Sequence, residues 1–340
     1  MSLGRLLGRW EALLVALLVA LVVFGAWRSP VFFDGSNFTL LTRAAMERAI
    51  MALPMTLIVI AGEIDLSVAS TLGLSSAVLG KGWAAGLPLW ACIAAALGVG
   101  AAAGLLNGLL VTRLGLPSLV VTLGTLALYR GLASVILGQE AVSDYPAGFA
   151  AFGSRPIAGT PFTWPFAIFV ALLLVFLIVL HRGTLGRQIY AIGNNAEAAR
   201  FSAVRVARIK LWLFVLSGTL AALAGVVFTA RVSSSRSDNA VGFELDVVAA
   251  VLLGGVSIFG GRGTLVGVVL SLAVIATLRN LLALLNVGAE LQSIAVGGLL
   301  ILSVLGPNLG RRVRGAFARP VAGGMPRSGP GVAPSGEAGD

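Results

Sequence analysis

The stretch His181 to Lys210, HRGTLGRQIYAIGNNAEAARFSAVRVARIK, is the one long polar, basic segment between two apolar runs, and its reading decides the fold. Six basic residues (Arg182, Arg187, Arg200, Arg205, Arg208 and Lys210) stand against a single acid, Glu197, in a chain that is only 11% charged. A basic loop between two membrane spans belongs in the cytoplasm, because Lys and Arg bias orientation toward that side. Within it, Asn194-Asn195-Ala196-Glu197 reads as a helix start, with Asn194 as N-cap and Glu197 at the third helical position reaching back as in a capping box. The helix continues through Ala198, Ala199 and Arg200. A short capped helix with a small-residue face, held at the membrane surface between two spans, suits docking of a soluble partner. The alternative is a solvated loop that only fixes orientation.

Composition sets the class around this loop. Hydrophobic residues make up 58% of 340 residues and mean hydropathy is +0.98, too apolar for a soluble domain of this length. The net charge of +10 does not indicate nucleic acid, since the arginines sit at the ends of apolar runs and form no stripe with interleaved aromatics. Membrane orientation accounts for the charge better. Cys92 and His181 are the only residues of their kinds, which excludes an internal disulfide, a cysteine metal cluster and a histidine dyad, so no metal site and no catalytic residues are expected.

Apolar runs of about 15 to 25 residues are expected of membrane spans. Six are clear: Leu13 to Trp27, Leu87 to Val111, Leu116 to Leu137, Trp164 to Leu180, Leu211 to Ala230 and Thr264 to Leu285. Four are shorter or interrupted: Leu41 to Ala61, Leu66 to Gly80, Val247 to Phe259 and Leu291 to Leu305. The expectation is an all-α polytopic protein with about ten transmembrane helices. No small-x-small cleavage site precedes the polar segment after Trp27, so the first span reads as an uncleaved anchor.

With the 181–210 loop inside, inner loops and ends carry fifteen Lys/Arg and outer loops five (Arg28, Lys81, Arg155, Arg231, Arg236), and both termini are cytoplasmic. Omitting the five tail arginines leaves ten against five. The outer segments Gly138 to Pro161 and Arg231 to Asp246 are the places for an external partner. Residues 1–305 read as one transmembrane domain, and 306–340, rich in Gly, Pro and Arg without apolar period, as a disordered tail.

Polar residues inside spans are costly in hydrocarbon unless they face protein or water. Gly62-Glu63-Ile64-Asp65-Leu66-Ser67 follows the proline-interrupted run containing Pro54 and puts two carboxylates where the backbone is broken. Asp65 is placed to cap the next helix by accepting the N–H of Ser67 or Val68. The second reading is that this break lines a pathway, since irregular backbone survives at membrane depth only beside protein or a cavity. Gly100, Gly104 and Gly108 form a double G-x-x-x-G that admits a close helix neighbour, with Asn107 free to bond across helices. Residues Gly98 to Ala103 match a dinucleotide fingerprint only formally, because no strand precedes them. Arg130, Arg279 and Asn280 either snorkel to an interface or line a path. A phosphate-binding Walker loop needs Lys between Gly and Ser/Thr; Lys81 is followed by Gly82 and Lys210 by Leu211, so this chain carries no such loop.

From about Leu41 to Leu305 these residues resemble the membrane permease subunits of bacterial ABC importers for sugars, the ribose-type group. The resemblance is carried by Gly62 to Val68, by Asn107-Gly108 with Leu116-Pro117-Ser118 and Thr122-Leu123-Gly124-Thr125, and by Gly186-Arg187 through Gly193-Asn194-Asn195-Ala196-Glu197-Ala198-Ala199-Arg200. Leu253-Gly254-Gly255-Val256-Ser257 and Gly260-Gly261-Arg262-Gly263 follow in the same order. Glu63, where many members have Gly, and the run Gly242 to Val248 resemble the rhamnose-type and autoinducer-2-type permeases. The resemblance implies a permease of the bacterial inner (cytoplasmic) membrane that passes a small neutral monosaccharide, rhamnose-like, inward. It implies that Asn194, Glu197, Ala198 and Arg200 couple to a cytoplasmic ATP-binding subunit, which binds the ATP, so that this chain needs no cofactor. It further implies a second permease copy or a sister permease, and an extracytoplasmic sugar-binding protein, besides the membrane lipid. Glu63, Asp65, Asn107, Thr125 and Arg130 are the candidates for the pathway. A branched-chain amino-acid ABC permease and a proton-coupled secondary transporter using Glu63 or Asp65 are the alternatives.

Overall fold

The computed structural model describes residues 9–301 apart from Gln139; the expected tail at 306–340 lies outside the described residues. Among those described there is no β-sheet, only isolated bridges between Val142 and Ser235 and between Pro156 and Thr163. The helices are α1 (Arg9–Arg28), α2 (Gly35–Ile60), α3 (Val68–Ala84), α4 (Leu89–Thr112), α5 (Ser118–Leu137), α6 (Ala147–Ser154), α7 (Trp164–His181), α8 (Thr184–Asn194), α9 (Ala196–Phe201), α10 (Val206–Val232), α11 (Phe243–Leu253), α12 (Leu265–Leu284) and α13 (Ala289–Ile301). Six of them, α1, α4, α5, α7, α10 and α12, are long and apolar enough to cross a membrane, and they are the six clear runs of the sequence.

The interrupted runs have physical reasons for failing that test. In α2 the charges Arg43, Glu47 and Arg48 break the apolar window, yet every residue from Ala49 to Ile60 is buried. An all-round apolar helix belongs in the middle of a bundle, and α2 packs against α7, α10, α11 and α12. Pro54 removes one rung of its ladder, and nearby the Thr56 hydroxyl donates to the Ala52 carbonyl at 2.6 Å. The run expected at Val247 to Phe259 is helical only to Leu253: Gly255 adopts φ +84°, which favours glycine, and the chain turns there instead of continuing.

Layering around α2 follows side-chain size. The glycine face of α4 lies on α10, where Gly100 meets Ala222 and Gly218, Gly104 meets the Phe214 backbone and Gly108 meets Leu211. With no side chains between them, the two backbones approach closely. Helix α3 fits between α4, α5 and α10, and α1 lies on α12. Outward faces of α1, α5 and α7 carry large apolar side chains such as Trp27, Val135 and Ile178, as lipid contact requires.

Candidate functional site

The 181–210 segment folds as two helices rather than one. Helix α8 is amphipathic and buries Ile189 and Ile192, while α9 follows after a single extended residue, Asn195. Asn195, not Asn194, is the N-cap: its Oδ1 accepts from the N–H of Glu197 at 3.0 Å and of Ala198 at 2.9 Å. Asn194 still belongs to α8, and its Nδ2 donates to the Tyr190 carbonyl at 2.8 Å. No capping box closes, because the Asn195 N–H is already given to the Ala191 carbonyl. Glu197 is therefore free to face outward together with Ala198 and Arg200, while Ala199 is buried beneath them. Phe201, at the end of α9, is 86% exposed, an aromatic the sequence reading passed over although it sits in an otherwise polar loop.

Behind α9 the backbone is packed without side chains. A methyl group on Gly193 would collide with the Ile60 carbonyl and the Gly261 N–H. These two groups bond each other at 2.8 Å, and the Tyr190 hydroxyl donates to the Gly263 carbonyl at 2.6 Å. Burial of that hydroxyl raises the Tyr190 pKa above its ordinary value, so it remains a donor at neutral pH. Two residues beyond Ile60, Gly62 adopts φ +81° and turns the chain toward Glu63, which forms an ion pair with Lys210 at the start of α10. The end of α2, the α11–α12 turn and the end of α8 thus meet in one place.

Asp65 lies just past that meeting point and is buried, 1% exposed. Its Oδ1 accepts the Ser67 N–H at 3.0 Å and the Ser67 hydroxyl at 2.6 Å, and its Oδ2 accepts the Ser217 hydroxyl of α10 at 2.8 Å. Among the described residues no Lys, Arg or His pairs with it. Asn107 of α4 extends the network, donating to the Ser67 hydroxyl at 2.8 Å, and the Tyr129 hydroxyl of α5 approaches Asn107 Oδ1 at 3.3 Å. The α2–α3 link is held to α5 as well, by the Ile64 N–H on Ser118 Oγ at 3.2 Å.

The five pathway candidates consequently fall in different places. Asp65 and Asn107 share one network and Glu63 belongs to the pair with Lys210. Thr125 is buried with its hydroxyl 3.4 Å from the Thr122 carbonyl. Arg130 donates to the carbonyls of Ser237 and Asn239, at 3.1 and 2.7 Å, in the loop after α10. At the end of the bundle away from α9, Asp246 accepts from Arg48 and Arg279, each at 2.7 Å, and Glu47 pairs with Arg231 at 2.5 Å. Asn280 exchanges amide hydrogen bonds with Asn37. Arg279 is thus engaged with Asp246 and Asn280 with Asn37. The signal for these pairs was present as charge inside apolar runs, which requires a partner, but the sequence did not say which.

A family model described as "Branched-chain amino acid transport system / permease component" matches residues 37–304. The autoinducer 2 import system permease protein LsrD of Photorhabdus temperata is 34% identical over 94% of this chain and 98% of its own length. The LsrD proteins of Yersinia enterocolitica and Klebsiella pneumoniae are 35% and 34% identical, each over 88% of this chain and 92% of their own length. No solved structure gives a significant match. The apolar helices and these bacterial relatives make this a multi-pass protein of the bacterial inner membrane, as the ribose-type resemblance implied. With most of its length matched, the chain belongs to the branched-chain amino acid transport system permease family.

Proposed function

We propose that the chain is the translocating subunit of an ATP-driven importer for a small neutral sugar-like solute, with autoinducer 2 the first candidate. The observation that carries this reading is the exposed helix α9, which follows α8 after one extended residue, α8 itself being packed through Gly193 onto the end of α2. A helix so placed passes a push from a soluble subunit into the bundle, because close-packed backbone has little room to absorb it. Glu197, Ala198, Arg200 and Phe201 form the surface that an ATP-binding subunit would grip, and ATP binds there rather than in this chain. The displaced element is the α2–α3 link, with Asp65 and Asn107 at its far side.

The topology that goes with this reading has ten spans, α2, α3, α11 and α13 adding to the six, with both termini cytoplasmic. A second permease copy or a sister permease completes the pathway, and an extracytoplasmic binding protein delivers the solute. The names of the relatives favour autoinducer 2 over the rhamnose suggested by the Gly62–Ser67 run. A branched-chain amino acid is the second reading, favoured by the description of the family.

The test is uptake by the reconstituted complex with radiolabelled autoinducer 2, rhamnose and leucine offered separately. Uptake of autoinducer 2 that needs ATP and survives a protonophore supports the reading. Uptake that stops with the protonophore while ATP remains would establish a secondary transporter, and uptake of leucine alone would establish the amino-acid permease.

A further inference from the structure

We propose that the cavity among α2, α10, α11 and α12, at the end of the bundle away from α9, holds an anionic phospholipid of the membrane. Its volume is about 390 Å³, and Arg48, Arg231 and Arg279 all line it. Their counter-charges are two, Asp246 and Glu47, so three guanidinium groups and two carboxylates leave a net charge of +1 at a largely buried position. Donor capacity is left over as well. Arg279 Nε is buried without a partner, and Arg231 bonds Glu47 only through Nε. Arg48 uses Nε on Asp246 and Nη1 on the Ala44 carbonyl. An unmet buried donor is unfavourable, and a phosphate oxygen is the acceptor that guanidinium groups recognise best.

The remaining walls choose the kind of anion. Leu40, Leu41, Leu272 and Ile275 supply an aliphatic lining, with Phe243 already covered by the Arg48 guanidinium at 3.6 Å from its ring centre. A polyhydroxylated solute would leave its hydroxyls unbonded against such a wall, whereas an acyl chain matches it. The basic groups and the aliphatic surface together fit one molecule with a phosphate head and a hydrocarbon tail. Under the topology above, this lipid belongs to the outer leaflet.

The experiment uses the purified full-length protein, delipidated in detergent and titrated with phosphatidylglycerol, phosphatidylcholine or inorganic phosphate while its melting temperature is followed. Phosphatidylglycerol at saturation is expected to raise Tm by about 5 °C, and phosphatidylcholine by less than about 2 °C. In Arg279→Gln the phosphatidylglycerol shift should fall by more than half, while Asp246 keeps its bond to Arg48. Ala276→Trp fills the cavity with every charge in place, and it alone carries the test where Arg279→Gln gives little folded protein. Arg182→Gln, at an exposed position after α7, should keep the full shift. Equal shifts from both lipids, a full shift from inorganic phosphate alone, a shift unchanged in Ala276→Trp, or its loss in Arg182→Gln would each overturn the proposal.

Discussion

The N–H of Gly261 donates to the carbonyl of Ile60 at 2.8 Å, joining the α11–α12 turn to the last turn of α2 directly beneath the end of α8. Gly193 rests on both groups, and only a residue without a side chain fits there. Gly193→Val should force α8 away from α2, at about 1–3 kcal/mol of stability by overpacking. It should also blunt ATPase stimulation by solute in the assembled complex, since the push no longer meets a rigid surface. Wild-type stimulation in this variant would show that force does not pass through Gly193.

Glu197 lies on the next helix, α9, and is exposed, so its substitution separates docking from folding. Glu197→Arg should leave stability within about 0.5 kcal/mol of wild type, as surface changes do. Membrane insertion should persist too, because under the proposed topology the added positive charge lies on the basic, inner side. Transport and stimulated ATPase activity should be lost. A purified complex that keeps its stimulated ATPase activity would place the docking surface elsewhere.

Much of this site was legible in sequence because it is local. The six long spans are runs of hydropathy, and a run needs no knowledge of its neighbours. The helix at 196–201 was legible for the same reason, although its cap fell one residue later because Asn194 is retained in α8 by its bond to Tyr190. What stayed hidden was pairing at a distance. Arg48 and Asp246 are 198 residues apart and Glu47 and Arg231 are 184 apart, and nothing in either neighbourhood names the other. Asp65 shows both sides: its bond to the Ser67 N–H follows from spacing, whereas its bond to Ser217 follows only from the packing of α10 beside the link.

Asp65 also separates a structural carboxylate from a proton carrier. Asn at this position keeps an oxygen for the Ser67 N–H and hydroxyl, and the Ser217 hydroxyl can turn to accept from the new amide. Asp65→Asn should therefore transport at a rate near wild type. Asp65→Leu strands three donors at a buried site, with about 1–3 kcal/mol lost for each one left unsatisfied, and should be expressed poorly or melt early. Uptake by both variants at matched expression decides the matter: a dead Asn variant would mean that the proton on Asp65 matters.

Asp246 tests the largely buried charges. Its removal as Asp246→Asn leaves Arg48 and Arg279 facing each other without their shared counter-ion, and breaking such a pair is expected to lower stability by about 3 kcal/mol. Asp238, which pairs with Arg236 where both side chains are more than half exposed, supplies the contrast. Asp238→Asn should change stability by less than about 1 kcal/mol, as surface pairs do. Comparable melting temperatures for the two variants would show that the Asp246 cluster is effectively solvated.

The seam between α4 and α10 gives the last test. A side chain on Gly104 would run into the carbonyl of Phe214 and the backbone of Val215, and backbone cannot move aside as a flexible side chain can. Gly104→Leu should therefore separate the two helices, with a loss of about 1–3 kcal/mol or more. Leu105, the next residue, points elsewhere and is 43% exposed. Leu105→Ala removes an exposed side chain, and if that face meets lipid an apolar group there gains little over the lipid tails that replace it. The melting temperature in detergent should thus fall well below wild type for Gly104→Leu and stay near it for Leu105→Ala. Because Gly218 on α10 approaches the backbone of Gly100 and Gly104 in turn, Gly218→Leu should reproduce the Gly104→Leu defect from the opposite helix. Equal melting temperatures for Gly104→Leu and Leu105→Ala would mean that α4 and α10 do not meet along this face.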